Sequence, residues 1–360
     1  MILLPVILTL PYFLVLLWIY FRLSKARKFS FPFEKDLCVS VVVACRNEEK
    51  NLPALLTSLS DQEYPQHLVE IIIVDDHSTD STGRIAETYS AKLNIRLFPN
   101  KGKGKKEAIR TGVLNSGSDL IITTDADCIP GKRWISSIVS KYESEKADLI
   151  AGPVRLTGSA GFLGKFQQLE FLSLQSITAG TILSGSGTMC NGANLAFTRD
   201  AWLRSEKDLR FDILTGDDVF LLHSLKKQKA LITWAESQDA IVDTKAAPDL
   251  RSFLRQRKRW ASKSTAYKDP LSIFLGIVTF VTNMVFAVMI VSVIIDPDYL
   301  RTLAAVFILK SIPDFLLLHN TASRYKRRNL LWWFLPSQIV YPFYVLTVSI
   351  FALIPARTHP

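Results

Sequence analysis

The chain of 360 residues carries 43 Lys and Arg against 33 Asp and Glu, a formal net charge of +10, with 48% hydrophobic and 21% charged residues. Nearly half of the sequence can build cores, which excludes a disordered chain, and the length suits one large domain or two ordinary ones. Cys38, Cys45, Cys128 and Cys190 show neither close pairing nor a Cys/His ligand spacing, which argues against a disulfide framework and a zinc site.

The chain is clearly basic yet has a positive mean hydropathy, so charge and apolar surface must occupy different segments. Residues 1–21 contain no charged side chain and are followed by Arg22, Lys25, Arg27 and Lys28. About 20 apolar residues cross a ~30 Å hydrocarbon core, so this stretch is predicted to span a membrane. A cleavable signal peptide is the rival, but no basic region precedes the run and no small-x-small site follows it.

From residue 37 short β-rich runs alternate with helical stretches, the pattern of a parallel sheet covered by helices. Strands are predicted over 39–44, 71–74, 95–98, 120–124 and 148–151, with helices beginning near Glu48, Asp80, Lys105 and Lys132. In such sheets ligands bind beyond the carboxyl ends of the strands, and polar clusters stand there. Cys45-Arg46-Asn47-Glu48-Glu49 follows the first strand, Asp75-Asp76-His77-Ser78-Thr79-Asp80 the second and Asp125-Ala126-Asp127 the fourth. One acidic strand end is readily a helix cap, the reading preferred for Asp80, but three in one sheet exceed what capping explains.

Asp125 and Asp127 lie two residues apart on an extended segment, so both can reach one hard cation, Mg²⁺ or Mn²⁺, with positions left for diphosphate oxygens. Lys101-Gly102-Lys103-Gly104-Lys105-Lys106 precedes a helix; it lacks the Walker spacing, and opposite a carboxylate-held metal it suits a phosphate group as well as it suits a solvated loop. Asp217 and Asp218 open a helical run, where acids favour the dipole; in a site, paired acids can instead provide a general base. Gln256-Arg257-Lys258-Arg259-Trp260 lies just before a second apolar stretch, in a basic segment suited to the headgroup plane.

Three further spans are predicted over 271–295, 302–318 and 331–355. The middle one is weaker because Lys310 and Asp314 would each cost about 2.5–3.5 kcal/mol at a helix centre, although four residues apart they share a face and can neutralise each other. They are read either as a self-paired couple or as a polar lining for an acceptor. Positive charge after the first span and at Arg324, Lys326, Arg327 and Arg328 places both basic segments in the cytoplasm, and four spans satisfy that. The predicted organisation is an anchor at 1–21, a cytoplasmic domain with juxtamembrane segments at 22–268 and a membrane domain at 269–360.

The order of motifs from Val39 to Trp260 resembles that of membrane-bound family 2 inverting glycosyltransferases. The parts are the Asn-Glu turn, Asp-Asp-x-Ser, the Gly-Lys loop, Asp-x-Asp, Gly-Ala-Asn at 192–194, Asp-Asp and Gln-x-x-Arg-Trp. The resemblance implies a GT-A fold, an α/β Rossmann-like domain with a mostly parallel sheet flanked by transmembrane helices. It implies that Glu48, Asp75 and Asp76 contact uridine and ribose, that Lys105 or a neighbouring lysine approaches the nucleotide-sugar, and that Asp125 and Asp127 hold metal and diphosphate. It further implies Asp218 as catalytic base with Asp217 where the family more often has Glu, and Gln256, Arg257, Arg259 and Trp260 at the acceptor end and pyrophosphate. Ala44 stands where many relatives carry Pro.

The expected partners are a nucleotide-sugar, read as a UDP-sugar, a lipid or glycan acceptor and the bilayer, with no nucleic acid. An integral, multi-pass protein of the bacterial inner-membrane type is expected. The acceptor is expected to be a lipid-borne hydroxyl, with residues 162–182 either shaping its entrance or packing as an ordinary helix. The alternatives are a processive polysaccharide synthase and a non-enzymatic protein that binds anionic lipid.

Overall fold

The computed structural model describes residues 3–26, 37–158, 160–213 and 215–353. Arg27 and Lys28 of the predicted basic segment, residues 1–2 of the first predicted span and residues 354–355 of the last lie outside the described residues. The chain opens with α1 (Leu3–Ser24) and then alternates β1 (Val39–Cys45), α2 (Leu52–Ser60), β2 (Val69–Asp75), α3 (Thr82–Tyr89), β3 (Ile95–Pro99), α4 (Lys105–Leu114) and β4 (Leu120–Asp125). There follow β5 (Ile129–Pro130), α5 (Trp134–Glu145), β6 (Leu149–Ala151), β7 (Val154–Thr157), α6 (Gly161–Leu183), β8 (Leu195–Thr198), α7 (Arg199–Ser205) and α8 (Asp217–Lys227). The remainder is β9 (Ile232–Trp234), β10 (Val242–Lys245), α9 (Leu250–Ser262), α10 (Pro270–Ile295), α11 (Leu300–Arg324) and α12 (Phe334–Leu353). These elements form two interleaved compact units, Ala26–Thr157 with Met189–Lys245, and Met1–Lys25 with Gly158–Thr188 and Ala246–Pro360.

The first of these units is built on a seven-stranded sheet in the order β3-β2-β1-β4-β8-β6-β9. Every pairing is parallel except those of β8 with β4 and β6. The runs Val-Ser-Val-Val-Val and Ile-Ile-Ile-Val are almost wholly buried, as strands covered on both faces require. A smaller sheet follows the order β5-β10-β7. The chain leaves β1 on one side for β2 and β3 and on the other for β4, so the strand order reverses between β1 and β4. That switch point is where an open α/β sheet forms its crevice. The register pairs Ala44 with Asp125 and Cys45 with Asp75, which brings both acids to the same edge.

Helix starts predicted near Glu48, Asp80 and Lys132 come a few residues later, at Leu52, Thr82 and Trp134, because the polar residues before them stay in site loops. Pro53 falls in the first turn of α2, where its missing N–H costs nothing. Helix α4 approaches β1 closely at Gly112, where a Cβ would lie 2.3 Å from Val42 Cγ1. Asn194 is fully buried and ties three segments together. Its Oδ1 accepts the Trp134 indole N–H at 2.9 Å, and its amide donates to the carbonyls of Pro153 and Ala240 at 2.8 and 2.7 Å.

The second unit contains the helices long and apolar enough to cross a membrane. These are α1, α10, the stretch Pro297–Arg324 that holds α11 and the stretch Arg328–Phe351 that holds most of α12. The weak span predicted over 302–318 is thus part of one continuous helix despite Lys310 and Asp314. The Lys310 ammonium is completely buried and donates to Asp314 at 2.9 Å and to Gln338 of α12 at 2.5 Å. Tyr12 of α1 donates to the other Asp314 oxygen at 2.6 Å. Helix α6, which covers residues 162–182, packs in this unit against α1 and α11. The contact with α1 is close because Gly180 has no side chain; a Cβ there would lie 2.4 Å from Ile19 Cγ2.

Replacing Asn194 by Leu takes the partner from the Trp134 N–H and from the Ala240 carbonyl, whereas the Pro153 carbonyl keeps the Val242 N–H. At about 1–3 kcal/mol for each unsatisfied group, the variant is expected to lose at least about 2 kcal/mol of stability. Denaturant unfolding of the purified protein checks this; a wild-type midpoint would contradict the role given to Asn194.

Candidate active site

Strand β2 ends on Asp75, and the chain turns through Asp76 and His77, the latter at φ 59°. Asp75 accepts the Ser78 N–H at 3.1 Å, and the Ser78 hydroxyl accepts the Asn47 N–H at 3.0 Å, so the loops after β1 and β2 are laced together. Asp80 accepts the N–H groups of Glu49 and Thr82, which agrees with its reading as a capping residue. Asp76 is buried and accepts the Gly104 N–H on both oxygens at 3.0 Å and the Asn100 amide at 2.6 Å. Its carboxylate therefore fixes the start of the Gly-Lys loop. Gly104 adopts φ +86°, a conformation that only glycine enters freely, and opens α4.

From that start the two lysines of α4 diverge. Lys106 is buried and donates to the carbonyls of Leu209 and Arg210 at 2.9 and 2.8 Å, beneath which the Phe220 ring lies. Lys105 reaches Asp125 at the end of β4, Nζ to Oδ1 2.5 Å, with both side chains about one-third exposed. Burial alone would lower the Lys105 pKa, but Asp125 and then Asp217 outweigh it and hold the ammonium above its ordinary value.

Asp217 and Asp218 form the first turn of α8, after Gly216 at φ +91°. Asp218 accepts the Gly192 N–H at 3.1 Å through Oδ2 and the Val219 N–H at 2.8 Å through Oδ1. A Cβ on Gly192 would lie 3.3 Å from Lys105 Nζ, 3.4 Å from Asp217 Oδ2 and 3.7 Å from Asp218 Cβ. Asp125, Lys105, Asp217, Asp218 and Gly192 therefore converge at one point beyond the carboxyl ends of β1 and β4.

Glu48 and Asp127 share the electrostatics of this edge. Glu48 is half-buried, and burial raises its carboxyl above the ordinary range; the Asn51 amide at 2.9 Å opposes the shift, while Asp127 and Asp125 add to it. Asp127 is raised by desolvation and then by Asp125, although its side chain still meets solvent. Both shifts have one sign. The folded protein binds protons more tightly at these sites than the unfolded chain does, so their ionisation opposes folding as pH rises through the carboxylate range.

Carboxylates crowded in this way suit a divalent cation. Asp125 and Asp127 are hard oxygen donors, and the Lys105 ammonium supplies part of the positive charge such an ion would bring. Among the described residues no cluster of three or more His, Cys, Asp and Glu side chains forms a full coordination cage. The protein would thus provide the two carboxylates, and diphosphate oxygens and water the remaining ligands.

Gln256, Arg257, Arg259 and Trp260 lie on α9, in the unit that holds the membrane helices. Arg257 is buried and pairs with Glu170 of α6, Nη2 to Oε2 at 2.5 Å and Nε to Oε1 at 3.0 Å. Burial would lower its pKa, but Glu170 raises it above the ordinary arginine value. The guanidinium also lies 4.2 Å from the Trp260 ring centroid and donates to Gln256 Oε1 at 2.6 Å. Arg257 thereby orders its own motif, whereas Arg259 is exposed. Sequence reasoning missed Glu170, Asn100 and the Gly192 N–H. A lone acid in an apolar helical run signals a paired charge, and Asn100 before a Gly-rich loop signals a turn.

Two outcomes follow from these charges. Asp127→Asn removes an anion beside Asp125 and is expected to raise thermal stability by at most about 1 kcal/mol, since solvent screens an exposed group; a lower melting temperature would contradict the crowding. Arg257→Ala strands a buried Glu170 and should cost about 3–5 kcal/mol, whereas Arg257→Met combined with Glu170→Leu should recover most of that loss. The same unfolding assay checks both, and additive losses in the double variant would refute the pairing.

Residues 40–204 match the Glycosyl transferase family 2 model. The chain is 30% identical over 240 residues to a probable glycosyltransferase, YdaM, of Bacillus subtilis, covering 62% of this chain and 54% of that protein. It is 24% identical over 277 residues to a poly-β-1,6-N-acetyl-D-glucosamine synthase of Staphylococcus epidermidis, covering 70% of this chain and 63% of the relative. The chain spans about half the length of the first curated relatives it matches. Among solved structures, a mannosyltransferase of Pyrobaculum calidifontis in complex with GDP-Man and Mn²⁺ superposes with a TM-score of 0.61 at 18% identity, over 97% of each chain. With the switch-point crevice and the acidic strand ends, these likenesses identify a GT-A fold whose residues 40–204 are similar to glycosyl transferase family 2, flanked by candidate membrane helices.

Proposed function

We propose that the protein is a membrane glycosyltransferase that moves a sugar from a nucleotide-sugar, read as a UDP-sugar, to a hydroxyl of a lipid-linked or membrane-embedded acceptor, with inversion. The observation that carries the reading is the convergence of Asp125, Lys105, Asp217 and Asp218 at Gly192, in the crevice of the sheet. In this reading Glu48 and Asp75 contact the nucleoside, and Asp76 acts on it through the Asn100–Gly104 loop that it holds. Lys105 faces the diphosphate. A divalent ion held by Asp125 and Asp127 would stabilise the departing nucleoside diphosphate as a Lewis acid.

Asp218 removes the proton of the acceptor hydroxyl. The Gly192 N–H fixes one of its oxygens and the N-terminus of α8 favours its charge, so the carboxylate is aimed before substrate arrives. The hydroxyl oxygen forms a bond to the anomeric carbon as the bond to the diphosphate breaks on the opposite face. That single displacement inverts the configuration without a covalent glycosyl-enzyme. General-base assistance of this kind is worth about 10²–10⁴-fold. Gln256, Arg259 and Trp260 are assigned to the acceptor end and pyrophosphate, with Arg257 as the residue that positions them. The basic residues after α1 and α11 favour a cytoplasmic α/β unit.

A processive polysaccharide synthase is the second reading, favoured by the aligned synthase and by Gln-x-x-Arg-Trp. A non-enzymatic lipid-binding protein gives no reason for acids at successive strand ends. In a donor screen with native membranes and added Mn²⁺ or Mg²⁺, mass spectrometry of the product is expected to show a one-sugar increment on a lipid rather than a ladder. Asp218→Asn is expected to keep nucleotide-sugar affinity and to lose at least about 100-fold in transfer. Near-normal turnover in that variant would sink the base assignment.

A further inference from the structure

The membrane-helix unit encloses a cavity of about 60 Å³. Its wall is part polar, with Tyr12, Glu170, Asp314, Ser337 and Gln338 among its members and Thr279 and Tyr341 beside them, and part apolar, with Leu16, Leu169 and Leu317. Most of these polar groups are already engaged with one another. Ser337 is not: it is only 7% exposed, it lines the cavity, and its hydroxyl has no hydrogen-bond partner among the described residues. A buried hydroxyl in that condition costs free energy unless a guest or a water satisfies it.

Charge selects the guest. Lys310 and Arg257, the cations bonded to Asp314, Gln338 and Glu170 of its wall, are not part of its lining. Lys310 is spent on Asp314 and Gln338, and it lies against the Tyr341 ring at 5.0 Å; Arg257 is spent on Glu170. What faces the cavity is the carboxylates of Asp314 and Glu170, an amide and hydroxyls. Both couples are neutral and their cations are already engaged, so a lipid phosphate would give up its hydration there with no free cation to meet.

Size selects further. Ligand pockets for larger molecules run to about 300–1,000 Å³, whereas a single water fits in about 10–15 Å³ of cavity space. The cavity therefore has room for a few hydroxyls on a small head, and a sugar chain does not fit in it. We propose that this cavity receives the head of a neutral, hydroxyl-bearing lipid of the monoacylglyceride type, its two hydroxyls donating to Asp314 and Glu170 and bonding Ser337, its tail following the apolar wall. Taking that lipid as the acceptor rests on the glycosyltransferase reading above; its binding does not.

The test uses the full chain in phosphatidylcholine nanodiscs, with radiolabelled monooleoylglycerol as probe and polyprenyl phosphate as competitor. Saturable binding that polyprenyl phosphate does not displace is expected. Ser337→Ala, which keeps the space and removes the hydroxyl, should weaken binding about 2- to 10-fold, in line with one hydrogen bond. Ser337→Leu, which fills the space, should abolish it. No saturable binding, preference for the phosphate, or unchanged affinity in both Ser337 variants would overturn the proposal. Donor turnover measured in the same preparation separates the two readings. Asp218-dependent transfer without glyceride binding refutes the lipid site alone, and Ser337-dependent binding without any turnover refutes the transferase alone.

Discussion

Like charges brought to adjoining strand ends repel each other, and the ammonium of Lys105 is what allows this sheet to carry so many of them. It pairs with Asp125 and stands close to Asp217 and Gly192, with Asp218 beside them. Glu48 and Asp127 lie on the same edge without a cation of their own, and both hold their protons more tightly than ordinary carboxyls. The fold thus carries an electrostatic cost at the place where it would meet a diphosphate and a metal ion. A divalent cation held there would relieve that cost, so the same crowding would favour its binding.

The membrane-helix unit solves the opposite problem. Charges within apolar helices are tolerated there because each has a partner with good geometry: Lys310 with Asp314 and Gln338, and Arg257 with Glu170 in a two-bond pairing. Neither couple leaves net charge behind. The polarity that remains is made of oxygen acceptors and hydroxyls, a surface suited to discriminating between neutral and anionic heads of similar shape.

Much of this was legible in the sequence because the signals were local. Runs such as Ile71-Ile72-Ile73-Val74 specify buried strands, and an acid pair after such a run falls at a strand end whatever the rest of the chain does. Lys310 and Asp314 disclosed their pairing by helical spacing alone. The unread parts were long-range. Nothing near Arg257 indicates that Glu170, 87 residues earlier, neutralises it. Asn194 reads as one member of a motif, yet its partners Trp134, Pro153 and Ala240 come from three other segments. Similarly, the stretch 158–188 lies between strands in sequence but packs with the apolar helices, since its Gly180 contact and its Glu170 pairing are both made there.

Lys105 and Lys106 are consecutive residues with opposite fates, one facing Asp125 and the other sunk among the carbonyls of Leu209 and Arg210. They are separated by the roughly 100° that each residue adds around a helix, so the phase of α4 decides which lysine is the charged tip and which is the bolt. That phase is set where Asp76 grips Gly104. The length of the turn between Asn100 and Gly104 is consequently a timing element. Gly104 is held by its φ and Gly102 by Glu107, so the turn tolerates exchange at Lys101 and Lys103 with the residue count kept, because one residue more or fewer would rotate the wrong side chain toward the acids.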